Sequence, residues 1–292
     1  MICQREAGDG LLVNLGGIVP LSTVDWRGRA AMVVFLRGCP LRCPHCHNYA
    51  LQTGESNIEF HALASRIVCR IKGLQTPAIA FRASTRQISL EDASVRAASR
   101  PFVDAFVLSG GEPLLQPEAS LRLFGLAKSL SLATGLETSG FYPGRLRALL
   151  KSDVVDRVFL DLKTELNEPA YQMATGITGV ADRVRESLEI CYQSGVAIDA
   201  RCTIFPELPS KDQIREIART LEGLSRLYPD SHLESLTLQQ GHPREGEPWF
   251  EPVALEEMQE MQEIAQAAGE GIAVQVGAPA VIKWAGQIAK SI

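Results

Sequence analysis

Short apolar runs alternate with amphipathic stretches along most of the chain. Seven runs read as strands: Ala31–Leu36, Ala105–Ser109, Ala133–Glu137, Arg157–Asp161, Ala197–Thr203, Ser235–Gln239 and Ile272–Val276. Each is a short, mostly apolar block, the pattern of parallel strands covered on both faces. Between them, Phe60–Ile71, Glu118–Leu130, Pro143–Leu150, Ala181–Ser194, Lys211–Leu227 and Leu255–Ala268 read as helices. In the last of these, Leu255, Met258, Met261, Ala265 and Ala268 share one face, a stripe suited to a core. The alternation argues for a parallel α/β sheet or barrel. Two stretches break it. Residues 73–100 are rich in Ser, Thr and Arg and read as an insertion with one short helix from Leu90. Residues 241–252 hold Gly, Pro, His and the pair Trp249–Phe250. Both are candidate lids or partner-facing loops.

Length adds that 292 residues suffice for one α/β barrel with insertions. The reading is of a single domain over 1–292, with a core at about 15–240 and a C-terminal extension at about 241–292. Lys and Arg number 29 against 34 Asp and Glu, a net charge of −5, so no overall basic field points to nucleic acid. The first ten residues, MICQREAGDG, lack the apolar core of a signal peptide. The longest clean apolar run, Ala30–Leu36, is far too short to span a membrane. A cytoplasmic protein is expected, with no membrane or nucleic-acid partner.

The cysteines sharpen the picture. Cys39, Cys43 and Cys46 form a tight triplet, while Cys3, Cys69, Cys191 and Cys202 are scattered. Cys69, Cys191 and Cys202 stand among apolar neighbours, as small core residues do. The triplet lies in Leu36-Arg-Gly-Cys39-Pro-Leu-Arg-Cys43-Pro-His-Cys46-His-Asn48, directly after a buried strand. Thiolates bind iron–sulfur clusters, and electron carriers usually supply four. Three would leave one iron open for a substrate, as a three-ligand catalytic zinc keeps one position open. A zinc-binding structural module, with His45 or His47 as extra ligands, is the alternative that spacing leaves standing.

CxxxCxxC at the end of a first strand resembles the signature of the radical S-adenosylmethionine (SAM) superfamily. The longer form, GCxxxCxxCHN, resembles the activating enzymes of glycyl radical enzymes. The later strand ends extend the likeness. Ser109-Gly-Gly-Glu-Pro113 resembles the GGEP motif, which implies that Gly110, Gly111 and Glu112 meet the amino group of SAM. Glu137-Thr-Ser-Gly140 resembles an acid–Thr–x–Gly motif and implicates Thr138. Asp161-Leu-Lys163 resembles a DLK motif, with Lys163 facing the SAM carboxylate and Asp161 beside it. Arg201 on the fifth strand is offered the same carboxylate, and His45 stands where these enzymes place an aromatic residue against adenine. Gln239 and Gln240 replace a histidine near the adenosine, and Pro20-Leu-Ser-Thr-Val-Asp25-Trp-Arg-Gly28 resembles the lead-in to the first strand.

The resemblance is strongest for activators of anaerobic ribonucleoside-triphosphate reductase. It implies a partial (β/α)6 barrel with terminal additions and a [4Fe–4S] cluster on Cys39, Cys43 and Cys46. It also implies SAM as cosubstrate, a flavodoxin- or ferredoxin-type electron donor, and a glycyl radical enzyme as partner. A radical SAM enzyme acting on a small molecule or nucleoside, such as a deazapurine-forming synthase, is the rival within the superfamily.

Overall fold

The computed structural model describes residues 10–72, 101–243 and 250–277. The expected insertion at 73–100, its helix from Leu90, and Trp249 lie outside the described residues. Nine strands are described: β1 (Leu12–Ser22), β2 (Ala31–Leu36), β3 (Asn57–Glu59), β4 (Ala105–Gly110), β5 (Ala133–Thr138), β6 (Arg157–Asp161), β7 (Ala197–Ile204), β8 (His232–Gln240) and β9 (Val274–Val276). The described helices are α1 (Phe60–Ile71), α2 (Pro117–Ser129), α3 (Pro143–Leu150), α4 (Glu168–Thr175), α5 (Ala181–Ser194), α6 (Lys211–Leu227) and α7 (Leu255–Ala268). Among the described residues, no helix is long and apolar enough to cross a membrane.

All strands join one sheet in the order β3-β1-β2-β4-β5-β6-β7-β8-β9. From β2 to β9 every pairing is parallel. That makes seven parallel strands, one for each run read from the sequence, and one more than the six that the resemblance implies, because β9 adds to β8. β1 and β3 extend the other edge antiparallel. Three elements escaped the sequence pattern. β1 is interrupted by Gly16, Gly17 and Pro20 and carries two register irregularities against β2. β3 has three residues, and α4 only eight, between an Asn167 cap and a left-handed Gly176. Elsewhere the local rules hold, as where Ser210 and Gln213 cap the start of α6 reciprocally.

The two faces of the parallel sheet bury different cores. Met32, Val34, Leu36, Phe106 and Leu108 belong to the large core, with the buried stripes of the helices. Val33, Phe35, Val107 and Phe159 belong to a smaller one with Trp26. Strand side chains alternate between faces, so this second set lines the concave side. Trp26 meets Phe159 edge-on at 5.4 Å, and Arg29 and Arg157 each lie 5.1 Å from its ring. Its loop, between β1 and β2, enters from the N-terminal ends of the strands. Arg27 of the same loop reaches β9, donating to the Gln275 side chain and, at 3.4 Å, to the Val276 carbonyl. One loop thus bridges both edges of the parallel run, which is possible because the sheet curls.

Candidate active site

The end of β2 leads straight into the cysteine loop, and its backbone is tied down from several directions. Gly38 N–H donates to Leu51 O at 2.7 Å and Cys39 N–H to Gln52 O at 3.1 Å. Arg42 N–H donates to Thr175 O at 2.8 Å, and the Arg42 guanidinium holds the Cys39 carbonyl at 2.7 Å. The turn after β4 closes on the same loop: Glu112 N–H donates to Gly38 O at 2.9 Å, and Asn48 donates to Gly110 O at 3.1 Å. A Cβ on Gly111 would stand 2.3 Å from Gly38 O, and one on Gly110 2.1 Å from Leu36 O. Those glycines are therefore required by the packing of two backbones against each other, whatever they offer a ligand.

Cys39, Cys43 and Cys46 all line one cavity of about 270 Å³ at the C-terminal ends of the strands. Gly110, Gly111, Thr138, Asp161, Lys163, Arg201, His45 and Gln239 line it too. Residues singled out on six strands, or just after them, are thus brought together where an α/β barrel assembles active sites. Burial pushes the Cys39 thiol up to about 12, with Glu112 and the other two thiols adding to the effect. Burial also raises Cys43, opposed by the Lys163 ammonium. Such thiols keep their protons until a cation displaces them, so metal binding would release protons. Burial and then Lys163 lower His47, whose Nε2 lies 3.2 Å from the His242 carbonyl.

The donor set fits an iron–sulfur cluster and SAM. Three thiols lining one cavity suit the cluster. Lys163 is paired with Asp161, and burial alone would lower its pKa. The Asp161 carboxylate reverses that and raises it, so the ammonium stays charged. The other Asp161 oxygen, Oδ1, is buried without a hydrogen-bond partner, an acceptor left over at the cavity wall. His45 stacks on Phe205, with ring centroids 4.5 Å apart and planes 20° apart, so an aromatic surface does face the cavity here.

Two residues sit differently from the expectation. Glu112 is fully buried and is not among the residues lining the cavity. Its carboxylate accepts from Leu114 N at 3.1 Å, Thr138 Oγ1 at 2.9 Å, Ser139 N at 2.9 Å and Ser139 Oγ at 2.5 Å. Burial raises its pKa, and these donors partly oppose the rise. It clasps the turn after β4 to the end of β5 and does not turn its oxygens to a ligand's ammonium. Arg201 lines the cavity, but its partners are internal: Glu137 at 2.5 Å, the Asp25 carbonyl at 2.6 Å and Asp199 at 3.3 Å. Its guanidinium also lies 3.8 Å from the Phe159 ring centroid.

The pattern also missed residues that surround these. Phe35, Phe159, Thr203 and Phe205 line the cavity without belonging to a motif that named them, and Asp25, named only as part of the lead-in to the first strand, lines it too. Asp199 accepts from Ser235 and Thr237, both at 2.9 Å, and Gln275 donates to the same two hydroxyls. The available signal was period-two polarity inside otherwise apolar strands: Asp199, Arg201 and Thr203, then Ser235, Thr237 and Gln239. Cys191 and Cys202 are fully buried core residues, as expected, whereas Cys69 is only half-buried on α1.

A curled parallel sheet with three thiols after its first parallel strand defines the class, and the sequence comparison agrees. The family profile of the radical SAM superfamily matches residues 33–222, and the chain belongs to that superfamily. It is similar to a protein of Methanocaldococcus jannaschii named as a glycyl-radical enzyme activating enzyme, 24% identical over 87% of this chain and 91% of the relative. It is also similar to the pyruvate formate-lyase-activating enzyme of Clostridium pasteurianum, 28% identical over 72% of this chain and 77% of that one. Among solved structures, SuiB of Streptococcus suis bound to its precursor peptide superposes with a TM-score of 0.60 at 14% identity. That match covers 84% of this chain but only 48% of SuiB, and it bears on the fold alone. Superfamily membership brings SAM and an iron–sulfur cluster, and the zinc-module alternative gives way to it.

Proposed function

We propose that this chain installs a glycyl radical on a partner enzyme, anaerobic ribonucleoside-triphosphate reductase. It would do so in the cytoplasm, using a [4Fe–4S] cluster held by Cys39, Cys43 and Cys46. The observation that carries the reading is the convergence of those thiols with Lys163, Asp161, Gly110, Gly111 and Thr138 on one cavity. The likeness to relatives named as activating enzymes supports a glycyl radical enzyme as the substrate, and the choice of the reductase among such enzymes rests on the sequence resemblance. When bound, the cluster supplies the electron that cleaves SAM reductively to methionine and a 5′-deoxyadenosyl radical. The chain's residues do the rest. The Lys163 ammonium, kept charged by Asp161, pairs with the SAM carboxylate. Asp161 Oδ1 offers an acceptor at the same wall. His45, stacked on Phe205, presents a ring for adenine. Glu112 keeps the glycine turn seated by holding Thr138 and Ser139. The apolar Phe35 and Phe159 keep the inner cavity poor in water. Electrons come from a flavodoxin- or ferredoxin-type donor.

The test uses anaerobically reconstituted protein, SAM, a reductant and the candidate partner. The expected result is an EPR-detectable glycyl radical on the reductase, with deuterium from its glycine appearing in 5′-deoxyadenosine. If the reductase and other glycyl radical enzymes gain no radical, while a free nucleoside exchanges its hydrogen, the small-molecule reading replaces this one.

A further inference from the structure

The cysteine loop has an outer side as well as a cavity side. On the outer side, Phe141 and Tyr142 follow the end of β5 and meet edge-on at 4.9 Å. Arg183 lies 4.6 Å from the Phe141 ring centroid, and Arg145 lies 4.2 Å from that of Tyr142. Arg145 also donates to Leu114 O at 2.8 Å and Leu115 O at 3.2 Å. The exposed Leu115 packs on Gly38, and Tyr142 lies within electrostatic reach of Cys39. Arg42, exposed at the far side of the same loop, holds the Cys39 carbonyl. None of Arg42, Tyr142, Arg145, Arg183 or Leu115 lines the cavity. The patch therefore abuts the first thiol's backbone from outside.

We propose that this arginine and aromatic patch is the docking surface for a small acidic one-electron carrier. The inference rests on the reading that the three thiols hold a reducible cluster. Its first support is charge. Among the described residues, no carboxylate lies within ion-pair distance of Arg42, Arg145 or Arg183, while nearby Arg147 is already matched by Glu186 at 3.2 Å. The guanidinium groups of Arg145 and Arg183, on a chain of net charge −5, give this face a local field that selects an acidic partner. The second support is position. The cavity side of the loop must take SAM and the partner's glycine, so electrons need another approach, and this face brings a carrier against the backbone of Gly38 and Cys39. The third is composition, since arginine stacked on aromatic rings anchors interfaces well. In the step itself the reduced carrier loses one electron and the cluster gains it, with no bond made or broken.

The experiment compares the full-length, reconstituted enzyme with the double variant Arg145→Gln, Arg183→Glu. Arg145→Gln retains a donor for the Leu114 and Leu115 carbonyls, so the turn after β4 keeps its support. Two reductants are used: a reduced flavodoxin, which is an acidic protein carrier, and photoreduced 5-deazariboflavin, which needs no docking surface. SAM cleavage driven by flavodoxin should slow by about tenfold or more at low ionic strength, and the variant should lose the salt dependence shown by the parent. Cleavage driven by deazariboflavin should be unchanged. Equal slowing with both reductants, or no slowing with flavodoxin, overturns the proposal. So does a variant that keeps its flavodoxin rate but loses glycyl radical yield under photoreduction, because the patch would then belong to the radical-accepting partner. Failure of the parent itself to cleave SAM under photoreduction overturns the cluster reading beneath both.

Discussion

The cysteine loop lines the cavity, the polar wall of β7, β8 and β9 reaches it only through Arg201, Thr203 and Gln239, and the two are built in opposite ways. The loop concentrates its reactive groups within eight residues, Cys39 to Cys46, and its thiols are free of disulfides. Its fixed part is the backbone, held by hydrogen bonds from the segments around Leu51, Glu112 and Thr175. The wall draws its groups from three separated strands, and its fixed part is the side chains. Parallel register sets Asp199 opposite Ser235, Arg201 opposite Thr237, and Thr237 opposite Gln275. Side chains that already satisfy one another remain in place without a ligand, whereas the Cys39 and Cys43 thiols, raised by burial, wait for one. The contrast separates a region whose substitution removes chemistry from one whose substitution removes support.

The largest expected effect is at the loop. Cys39→Ala, Cys43→Ala or Cys46→Ala should each abolish SAM cleavage and the cluster's visible absorption while leaving the circular dichroism of the fold intact. Changing Cys69, Cys191 or Cys202 should leave the spectrum of the reconstituted cluster as it was. A cluster that survives loss of one of the triplet would break the comparison at its first term.

The wall should fail differently. Arg201→Ala leaves Glu137 and Asp199 without their shared cation in a site where the arginine side chain is only 10% exposed. Breaking a buried pair in this way costs about 3–5 kcal/mol, to be read from the shift in the denaturant unfolding midpoint. Lys163→Ala, at a more exposed pair, should cost much less stability and weaken SAM binding instead. If the two variants behave alike, the division between chemistry and support is wrong.

A smaller effect concerns pH. Burial, offset by Arg201 and reinforced by Asp25, lifts Glu137 from 4.5 to about 7. The folded state therefore binds the proton more tightly than the unfolded chain does. That contribution to stability is complete below the ordinary value and is lost as pH rises toward 7. Glu137→Gln cannot ionise and should flatten the decline across this window, by on the order of 1–3 kcal/mol. Unfolding midpoints measured at several pH values for both proteins provide the check. An unchanged slope would assign the pH dependence elsewhere.

Much of the site was legible because its chemistry is local. A thiol triplet, a Gly-Gly-Glu turn and an Asp-Leu-Lys end each declare themselves within a few residues, and all of them fall at strand ends. The strands and helices they punctuate follow from apolar periodicity, and five of the six expected helices have the expected bounds. What stayed hidden depends on contacts between distant segments. Nothing in Glu112 itself says that Thr138 and Ser139 will engage its carboxylate, 26 and 27 residues onward. The resemblance offers Arg201 the SAM carboxylate, but its partner Glu137 is 64 residues away and meets it only once strand order is known. β1 was missed because glycine and proline disguise it, although its pairing with β2 is long.

The seat of the cysteine loop has one further consequence, for the order in which the molecule comes together. Asn14, Leu36, Leu51, Gln52, Gly110 and Glu112 lie between positions 14 and 112, and of the backbone bonds that fix residues 38–42 only that to Thr175 falls later. The wall, by contrast, is incomplete until Gln275 is present. A ribosome releases the chain from its N-terminus, and early segments can organise before late ones exist. Nascent chains should therefore acquire the nest for the metal cofactor well before they acquire the far side of the chamber. Cluster delivery and completion of the barrel are then separable events in the life of the protein.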